Sequence, residues 1–340
     1  MPPGTMASLV NNLKPLLLAL LGFGQGLFAS ESQTPETLRR YSFTSPGMGT
    51  TFNITLYASE NRYADAEAAV LAAFNRITAL NAIFSDYEPN SEINRFAATA
   101  PKPWPGSPDL LALSARALEF AQATDGAFDP TIGQLTRLWR SSRQRQKLAP
   151  PDRLQKALHS SGWHQLQIND QSLTLSKPGV LLDFGGIAKG YAADQMLALL
   201  KTKGFPIAIV LAGGDTAAGD PPPDSPGWTV TLRTGINDHA PVNLRLANQS
   251  VSTSGDLHQF IELDGIRYSH IIDPKTGLGL TRRIACSVIA PDTTTSDALA
   301  TALCILGPEK GRPIAGNLKL TVRWTWQDEA GAKHEAWFNP

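Results

Sequence analysis

The sequence predicts an α+β fold in which mixed sheets are flanked by helices, after an N-terminal export signal. Residues 52–56 alternate apolar and polar side chains, which is the period of a half-buried strand, whereas residues 70–84 repeat apolar side chains at helical spacing. Asp264-Gly265 separates two apolar runs and favours a two-residue hairpin turn. Because strands and helices interleave while hairpins are present, we expect sheets that are not purely parallel.

Residues 1–30 resemble a secretory signal peptide. Lys14 precedes the apolar run Pro15 to Phe28, and the small residues Ala29 and Ser30 follow. The run is shorter than the roughly 20 apolar residues of a membrane-spanning helix. A cleaved signal is therefore favoured, and an uncleaved tether is the alternative because the cleavage pattern is imperfect. The expected location is the periplasm, and an uncleaved segment would tether the protein to the inner membrane. The segment has no cysteine, so we do not expect a lipoprotein.

The remaining elements follow from periodicity and turn residues. Apolar residues Val70, Phe74, Ile77 and Phe84 predict the core-facing stripe of the first helix. Further helices are predicted over 109–123, 191–200 and 295–306, and strands over 51–56, 180–184, 207–212, 260–263, 266–271 and 284–290. The polar, basic segment 140–152 ends in two prolines and is predicted to be a loop or a subdomain boundary within a domain covering 31–340.

The composition narrows the class of protein. The chain has 340 residues, of which 42% are hydrophobic and 18% are charged, so disorder, collagen and coiled coil are excluded. Thirty basic and thirty acidic residues give a formal net charge of +0, and we expect no nucleic-acid partner. Cys286 and Cys304 lie in apolar runs and are interpreted as core thiols, with a single disulfide as the alternative.

The glycine loop 182–190 lies between a predicted strand and a predicted helix. Its glycines allow close backbone approach, the helix start supplies unpaired N–H groups, and Lys189 adds a positive charge, which together favour an anion such as phosphate. The residue order does not match the Walker P-loop, so an ordinary nucleotide triphosphatase is disfavoured. The alternative is a turn that needs glycine for its geometry.

Two further clusters suggest chemistry. Asp297 and Thr301 lie four residues apart behind a hydroxyl-rich helix start, so their oxygens share one face and suit Mg²⁺. A dipole-favoured helix cap is the alternative for Asp297. His270 lies at a strand end beside a carboxylate and a turn, where a histidine can act as a general base or can be purely structural.

The order of these motifs resembles that of the ApbE family, the FAD:protein FMN transferases. The resemblance covers about residues 45–307, and its specificity comes from eight weak motifs in the same order. They are residues 46–51, 84–87, 125–131, 183–190, 213–215, 252–255, 270–277 and 297–301.

The resemblance implies Mg²⁺-dependent transfer of FMN from FAD to a Thr or Ser hydroxyl of a partner redox protein, with release of AMP. It assigns FAD contacts to Met48, Tyr87, Ala127, Phe128, Asp129, Asp183 and Lys189. It assigns Mg²⁺ to Asp297, Thr301 and the Gly186 carbonyl. His270 resembles the histidine at the flavin site that would deprotonate the acceptor hydroxyl. Lys189 would act as a catalytic residue by binding the pyrophosphate.

Two departures from the family pattern are visible. Leu211 replaces the usual asparagine just before the Ala-Gly-Gly-Asp stretch and removes one polar side chain, and the lipoprotein cysteine is missing. The same residues are compatible with an FAD pyrophosphatase, in which water replaces the acceptor hydroxyl. A periplasmic flavin-binding protein without turnover is the third hypothesis.

Overall fold

A central antiparallel sheet supports the helices that carry the predicted site. The computed structural model describes residues 37–232, 241–255 and 260–340, and the predicted signal segment 1–30 lies outside these residues. The strands are β1 Leu38–Gly47, β2 Thr50–Ser59, β3 Trp104–Pro105, β4 Leu166–Ile168, β5 Ser172–Leu175, β6 Ala208–Ala212, β7 Asp215–Ala218, β8 Trp228–Leu232, β9 Val242–Leu246, β10 Gln249–Gly255, β11 Phe260–Leu263, β12 Ile266–Ser269, β13 Ile284–Ala290, β14 Thr321–Gln327 and β15 Lys333–Phe338. The helices are α1 Tyr63–Phe84, α2 Glu92–Thr99, α3 Pro108–Ala123, α4 Gly133–Arg145, α5 Pro151–His159, α6 Ala188–Thr202 and α7 Thr293–Asn317.

The large sheet has the strand order β1-β2-β6-β7-β10-β13-β14-β15. Each neighbouring pair in this order is antiparallel. Smaller antiparallel sheets are formed by β11-β12, β3-β5-β4 and β8-β9. The α+β class is therefore confirmed. Among the described strands, the parallel pairing expected of a mixed sheet is limited to an isolated bridge between Ile132 and Leu181.

The two faces of the sheet have different partners. Alternate side chains such as Val210, Ala212 and Val288 belong to the main core, which also contains the inner faces of α6 and α7. The intervening residues Ile209 and Leu211 belong to a second apolar cluster with strands β8 and β9. This alternation follows from the period of two along a strand. It places α6 and α7 together on one face of the sheet.

Helix α1 matches the predicted apolar stripe. Val70, Ile77 and Phe84 are buried, and Phe74 packs against the same core as a partly buried side chain. The hairpin prediction is also correct, because Asp264 and Gly265 both have positive φ values between β11 and β12. Positive φ at both central residues is the requirement of the tight turn that Asp-Gly favours.

The predicted strand over 180–184 is wrong. Only Leu181 makes a bridge, and the rest of the segment has no strand partner. Its backbone pairs instead with the preceding loop, since Asp183 N donates to Pro130 O at 2.8 Å and Gly133 N donates to Leu181 O at 3.0 Å. The backbone N–H and C=O groups of this buried apolar run are thus hydrogen-bonded without a β-ladder.

The segment 140–152 is largely helical, contrary to the predicted loop. Helix α4 extends to Arg145 and α5 begins at Pro151, so the connection is short. Leu135, Trp139 and Ser142 form the buried face of α4, which the many basic residues around them obscure in the sequence. Pro151 starts a helix because the first helical position needs no N–H donor.

Helix α7 is longer than the predicted 295–306. It begins at Thr293, runs to Asn317 and is interrupted at Gly307, where φ is 72°. Both cysteines are buried and neither is in a disulfide within the described residues, as the core interpretation predicts. Of the helices that the structure describes, none combines the length and apolar character needed to cross a membrane.

Candidate active site

The centre of the site is an ammonium group between two buried carboxylates. Lys189 Nζ lies 3.0 Å from Asp215 Oδ2 and 3.1 Å from Asp297 Oδ2. The carboxylate side chains are 4% and 5% exposed. Lys189 is supplied by the first turn of α6, Asp215 by the start of β7 and Asp297 by the first turns of α7. Three segments that are distant in sequence thus meet at one point.

Burial and charge act in opposite directions on these groups. Burial lowers the pKa of Lys189, but the charges of Asp215 and Asp297 outweigh this effect and raise it above its usual value. Burial and the charge of Asp215 raise the pKa of Asp297 to about 6, although Lys189 and the N–H of Gly190 oppose the increase. Lys189 is therefore a cation and Asp297 an anion near neutral pH, and one ammonium counted with two carboxylates gives the cluster a formal charge of −1.

Hydrogen bonds between helices hold Asp297 in position. Gly190 N donates to Asp297 Oδ2 at 3.0 Å. Further along α6, Asp194 accepts hydrogen bonds from the N–H groups of Thr293 and Thr294, each at 2.8 Å. Asp292 is the N-cap of α7 and accepts a 2.7 Å hydrogen bond from Thr295 N. The threonine run thus ties α7 to α6 at its start, while Asp297 is left to face Lys189.

The predicted metal ligands are brought together on the same side of α7. A Cβ built on Gly186 would lie 3.3 Å from Thr301 Oγ1, so the glycine loop closely approaches this hydroxyl. Thr301 Oγ1 is also 3.0 Å from Ser254 Oγ. Within the described part of the chain, no group of three or more His, Cys, Asp or Glu side chains is arranged around a metal position.

The oxygen donors fit a hard cation such as Mg²⁺ by their chemistry. Asp297 and Thr301 lie one helical turn apart, and Gly186 offers a carbonyl without a side chain. Asp215 Oδ2 is buried, has no hydrogen-bond partner among the described residues and lies 3.0 Å from the Lys189 ammonium. A carboxylate, a hydroxyl and a carbonyl are ligands that Mg²⁺ accepts together with water and phosphate oxygens.

Asp183 is held within the glycine loop. Its Oδ1 accepts a 2.7 Å hydrogen bond from Gly185 N, and its Oδ2 accepts one from Thr136 Oγ1 at 2.5 Å. The half-buried carboxylate therefore orders the loop that leads to Gly186 and Lys189. Its predicted contact with FAD stays a prediction.

Ala127, Phe128 and Asp129 form a buried turn beside that loop. The Phe128 ring lies 3.6 Å from the Cβ position of Gly186, which brings this motif next to the candidate metal ligands. Asp129 Oδ1 accepts hydrogen bonds from Thr131 N at 2.7 Å and Thr131 Oγ1 at 2.6 Å. Burial raises the pKa of Asp129, and the Thr131 hydrogen bonds oppose the rise.

Met48 and Tyr87 differ in exposure. Met48 is half-buried at the β1–β2 turn with a φ of 48°, and it packs against the main core. The Tyr87 side chain is 72% exposed, and the Arg140 guanidinium lies 3.8 Å from its ring centre. Arg140 also pairs with Asp86 at 2.5 Å. The exposed ring is thus positioned by a cation from α4.

His270 directly follows β12 and is half-buried. Ser269, the residue before His270, donates its N–H to Leu280 O at 2.8 Å. The backbone next to His270 is therefore hydrogen-bonded to the segment that follows the hairpin. These contacts give His270 a defined backbone position. Its assignment as the base stays a prediction.

Sequence reasoning missed two functional candidates. Asp215 stands in a recognised motif, but its ion pair with Lys189 depends on contacts across 26 residues that no local pattern reveals. Arg140 lies in the segment predicted to be a loop or a subdomain boundary, whereas it is in α4 and contacts both Asp86 and Tyr87. Leu211 packs in the apolar cluster on the sheet face opposite to the one that carries Asp215.

Comparison with known proteins gives a consistent result. The family model described as the ApbE family matches residues 48–324. The FAD:protein FMN transferase of Vibrio cholerae is 29% identical over 299 residues, which cover 86% of this chain and 89% of that protein. The one from Treponema pallidum is 33% identical over 294 residues, covering 80% of each chain. The solved flavin transferase ApbE from Vibrio cholerae matches with a TM-score of 0.80 and 26% identity, covering 88% of this chain and 97% of that structure.

The fold and its lysine–carboxylate site therefore define an enzyme of the transferase class, as the names of these relatives indicate. The family match spans most of the chain, and the relatives align over most of their own length. The chain belongs to the ApbE family.

Proposed function

We propose that the protein transfers FMN from FAD to a Thr or Ser hydroxyl of a partner redox protein, in a Mg²⁺-dependent reaction that releases AMP. The observation that carries this proposal is the convergence of Lys189, Asp215 and Asp297 beside the Gly186 loop, where the first turns of α6 and α7 meet the start of β7. Family membership supports flavin transfer as the chemistry, since the curated relatives are named FAD:protein FMN transferases.

The transfer exchanges one phosphorus–oxygen bond for another. The acceptor hydroxyl oxygen bonds to the phosphorus of the FMN moiety, and the bond from that phosphorus to the bridging pyrophosphate oxygen breaks. AMP leaves with the bridging oxygen, and the hydroxyl proton goes to the imidazole of His270. No covalent bond to this protein is required, because phosphoryl transfer depends mainly on positioning and on charge stabilisation.

The chain's own residues supply the positioning. Lys189 lies at the first turn of α6, where its charge and the helix dipole both favour the pyrophosphate. Gly186, Asp297 and Thr301 would hold Mg²⁺, which would neutralise charge that develops on the phosphate oxygens. Ala127 and Phe128 would line the nearby flavin nucleotide, and Asp183 keeps the glycine loop ordered.

Two alternatives use the same residues. Water in place of the acceptor hydroxyl would give FMN and AMP, which is an FAD pyrophosphatase activity. A flavin-binding protein without turnover would retain FAD intact. The presence of a lysine, a carboxylate pair and a histidine in addition to a flavin-binding turn favours turnover.

The deciding experiment incubates the purified protein with FAD and Mg²⁺, with and without a candidate acceptor subunit that contains a Thr or Ser target. AMP is measured by chromatography, and covalent flavin is measured by fluorescence of the denatured acceptor. Acceptor-dependent AMP release with equal flavin incorporation supports transfer. AMP release without an acceptor supports the pyrophosphatase, and intact FAD in every mixture supports the binding protein.

The proposal includes export to the periplasm, with FAD and the acceptor subunit as partners and an N-terminal tether as an alternative to cleavage. It rests on the composition of residues 1–30. Fusion of this segment to a reporter that is active only outside the cytoplasm tests it. An inactive reporter, expressed at a normal level, would contradict export.

A further inference from the structure

The cluster of Lys189, Asp215 and Asp297 has an excess of negative charge, which affects how a divalent cation and FAD bind to the site. One ammonium and two buried carboxylates give a formal charge of −1, in a location where both acids are about 95% shielded from solvent. Charges in such surroundings interact more strongly than they do in water. A site with this charge attracts a divalent cation and repels the pyrophosphate of FAD.

A cation that binds Asp297 competes directly with Lys189. Lys189 Nζ contacts both carboxylate oxygens of Asp297, at 3.1 Å and 3.3 Å. The N–H of Gly190 holds Asp297 Oδ2 independently of Lys189. Asp297 therefore keeps its position when the ammonium moves away, and the carboxylate becomes available to the cation.

Asp215 keeps the ammonium in the site during this exchange. It lies at the first position of β7, where it pairs with Ala212 on one side and Ser252 on the other. Its Oδ2 has Lys189 as an ion-pair partner at 3.0 Å, and no donor in the described part of the chain forms a hydrogen bond with it in good geometry. An anchor on the rigid sheet, separate from both helices, limits how far Lys189 can move.

Building on the proposed function, we propose that Lys189 is an internal counter-ion that a divalent cation displaces from Asp297, and that Asp215 is the positioning residue that retains Lys189 beside the pyrophosphate. With a divalent cation present, the formal charge of the cluster changes from −1 to +1. The site then favours the pyrophosphate. Asp215 thus makes FAD binding depend on the prior or simultaneous arrival of the metal.

The first test measures Mn²⁺ or Mg²⁺ affinity by calorimetry without FAD. Lys189→Gln removes the competing cation, so we expect divalent affinity to increase about tenfold or more. Asp215→Asn leaves Asp297 as the remaining carboxylate partner of Lys189 in the cluster. We therefore expect divalent affinity to decrease by a similar factor. Lys201→Gln, which changes an exposed lysine of the same helix, is the matched control and should match wild type. Thermal unfolding of each variant verifies that it is folded.

The proposal would be overturned if Lys189→Gln had the same metal affinity as wild type or a lower one. It would also be overturned if neither protein bound the ion. An unchanged or higher affinity in Asp215→Asn would overturn the role of Asp215. These results need no FAD, so they stand even if the protein proves not to transfer FMN.

The second test titrates FAD with Mg²⁺ and with chelator. Asp215→Asn makes the cluster neutral without metal, so we expect FAD to bind severalfold more tightly than wild type in chelator. The ratio of FAD affinity with Mg²⁺ to FAD affinity in chelator should therefore be smaller in Asp215→Asn than in wild type. An equal ratio in both proteins would contradict the positioning role, whereas absence of FAD binding in every condition would contradict the proposed function instead.

Discussion

The N–H of Gly190 donates a 3.0 Å hydrogen bond to Oδ2 of Asp297, which joins the first turn of α6 to the second turn of α7. The contact between the helices is close, because a Cβ on Gly190 would lie 2.9 Å from the Cβ of Asp297 and would collide with the carbonyl oxygen of Thr293. Glycine is therefore required here by close approach. The geometry of the Asp297 carboxylate depends on this single missing side chain.

Gly190→Ala should separate the two helices and weaken the site. We expect a loss of about 1–3 kcal/mol in unfolding free energy from overpacking, together with a large loss of Mg²⁺-dependent FAD binding. Calorimetric unfolding and FAD titration measure the two effects. Gly316→Ala is the control, because its Cβ would lie 3.4 Å from the Phe338 ring, which is an ordinary contact distance. Equal behaviour of the two variants would show that helix contact does not position Asp297.

Asp297→Ala should abolish transfer and uncouple FAD affinity from Mg²⁺. It removes the only formal negative charge among Gly186, Asp297 and Thr301. Thr301→Ala should have a smaller effect, since water can replace a neutral hydroxyl. FAD titrations with Mg²⁺ and with chelator compare the variants. If Asp297→Ala responds to Mg²⁺ as wild type does, the metal site lies elsewhere.

His270→Ala should reduce the transfer rate by about 10²- to 10⁴-fold while FAD affinity changes little, because a general base acts on the acceptor proton. Single-turnover transfer and FAD titration separate the two quantities. His334→Ala is a control on the protein surface, where His334 pairs with Asp328 at 2.8 Å. A normal transfer rate in His270→Ala would assign that residue to a structural role.

Divalent-cation affinity should depend on pH through Asp297. Its pKa is raised to about 6, so the carboxylate is protonated below this pH and competes less well for the cation. Affinity should therefore increase as pH rises through about 6 and level off above it. Calorimetry between about pH 5 and about pH 8, which brackets the raised pKa of Asp297, follows this change. A flat profile would indicate that Asp297 is not a ligand.

Arg140→Ala should weaken FAD binding if the exposed Tyr87 ring contacts the flavin nucleotide. The guanidinium lies 3.8 Å from the ring centre, and a cation over an aromatic face contributes about 0.5–1 kcal/mol at exposed sites. The expected decrease in FAD affinity is therefore about two- to fivefold. FAD titration compares it with Arg145→Ala on the exposed face of α4. Equal FAD affinities in the two variants would indicate that Tyr87 does not contribute to FAD binding.

Local patterns predicted the elements that depend on neighbouring residues. The strand over 284–290 has the predicted bounds, and the Asp264-Gly265 hairpin has the predicted turn conformation. Lys189 and Asp297 were singled out because a glycine loop and a hydroxyl-rich helix start have recognisable sequences. These features are determined by short-range geometry, which periodicity and turn residues report directly.

The missed features depend on contacts between distant segments. Nothing near Asp215 in the sequence identifies Lys189 as its partner, because the ion pair forms only when β7 lies beneath α6. The strand predicted over 180–184 failed for the same reason: its residues are apolar, but the backbone pairs with the loop at Pro130 and Gly133. Side-chain patterns specify burial, whereas the identity of a partner requires the whole fold.

The strand order has a consequence for how the protein folds. Phe52 pairs with Ala212, and the sheet continues through β10 to β13 near the other end of the chain. Such non-local pairing gives a high contact order, which corresponds to slow folding on the order of milliseconds to seconds or longer. Lys189 and Asp297 are 108 residues apart in sequence, and Asp215 lies on a strand between them. The cluster therefore requires the chain to be synthesised through the start of α7, so no shorter N-terminal piece contains the whole site.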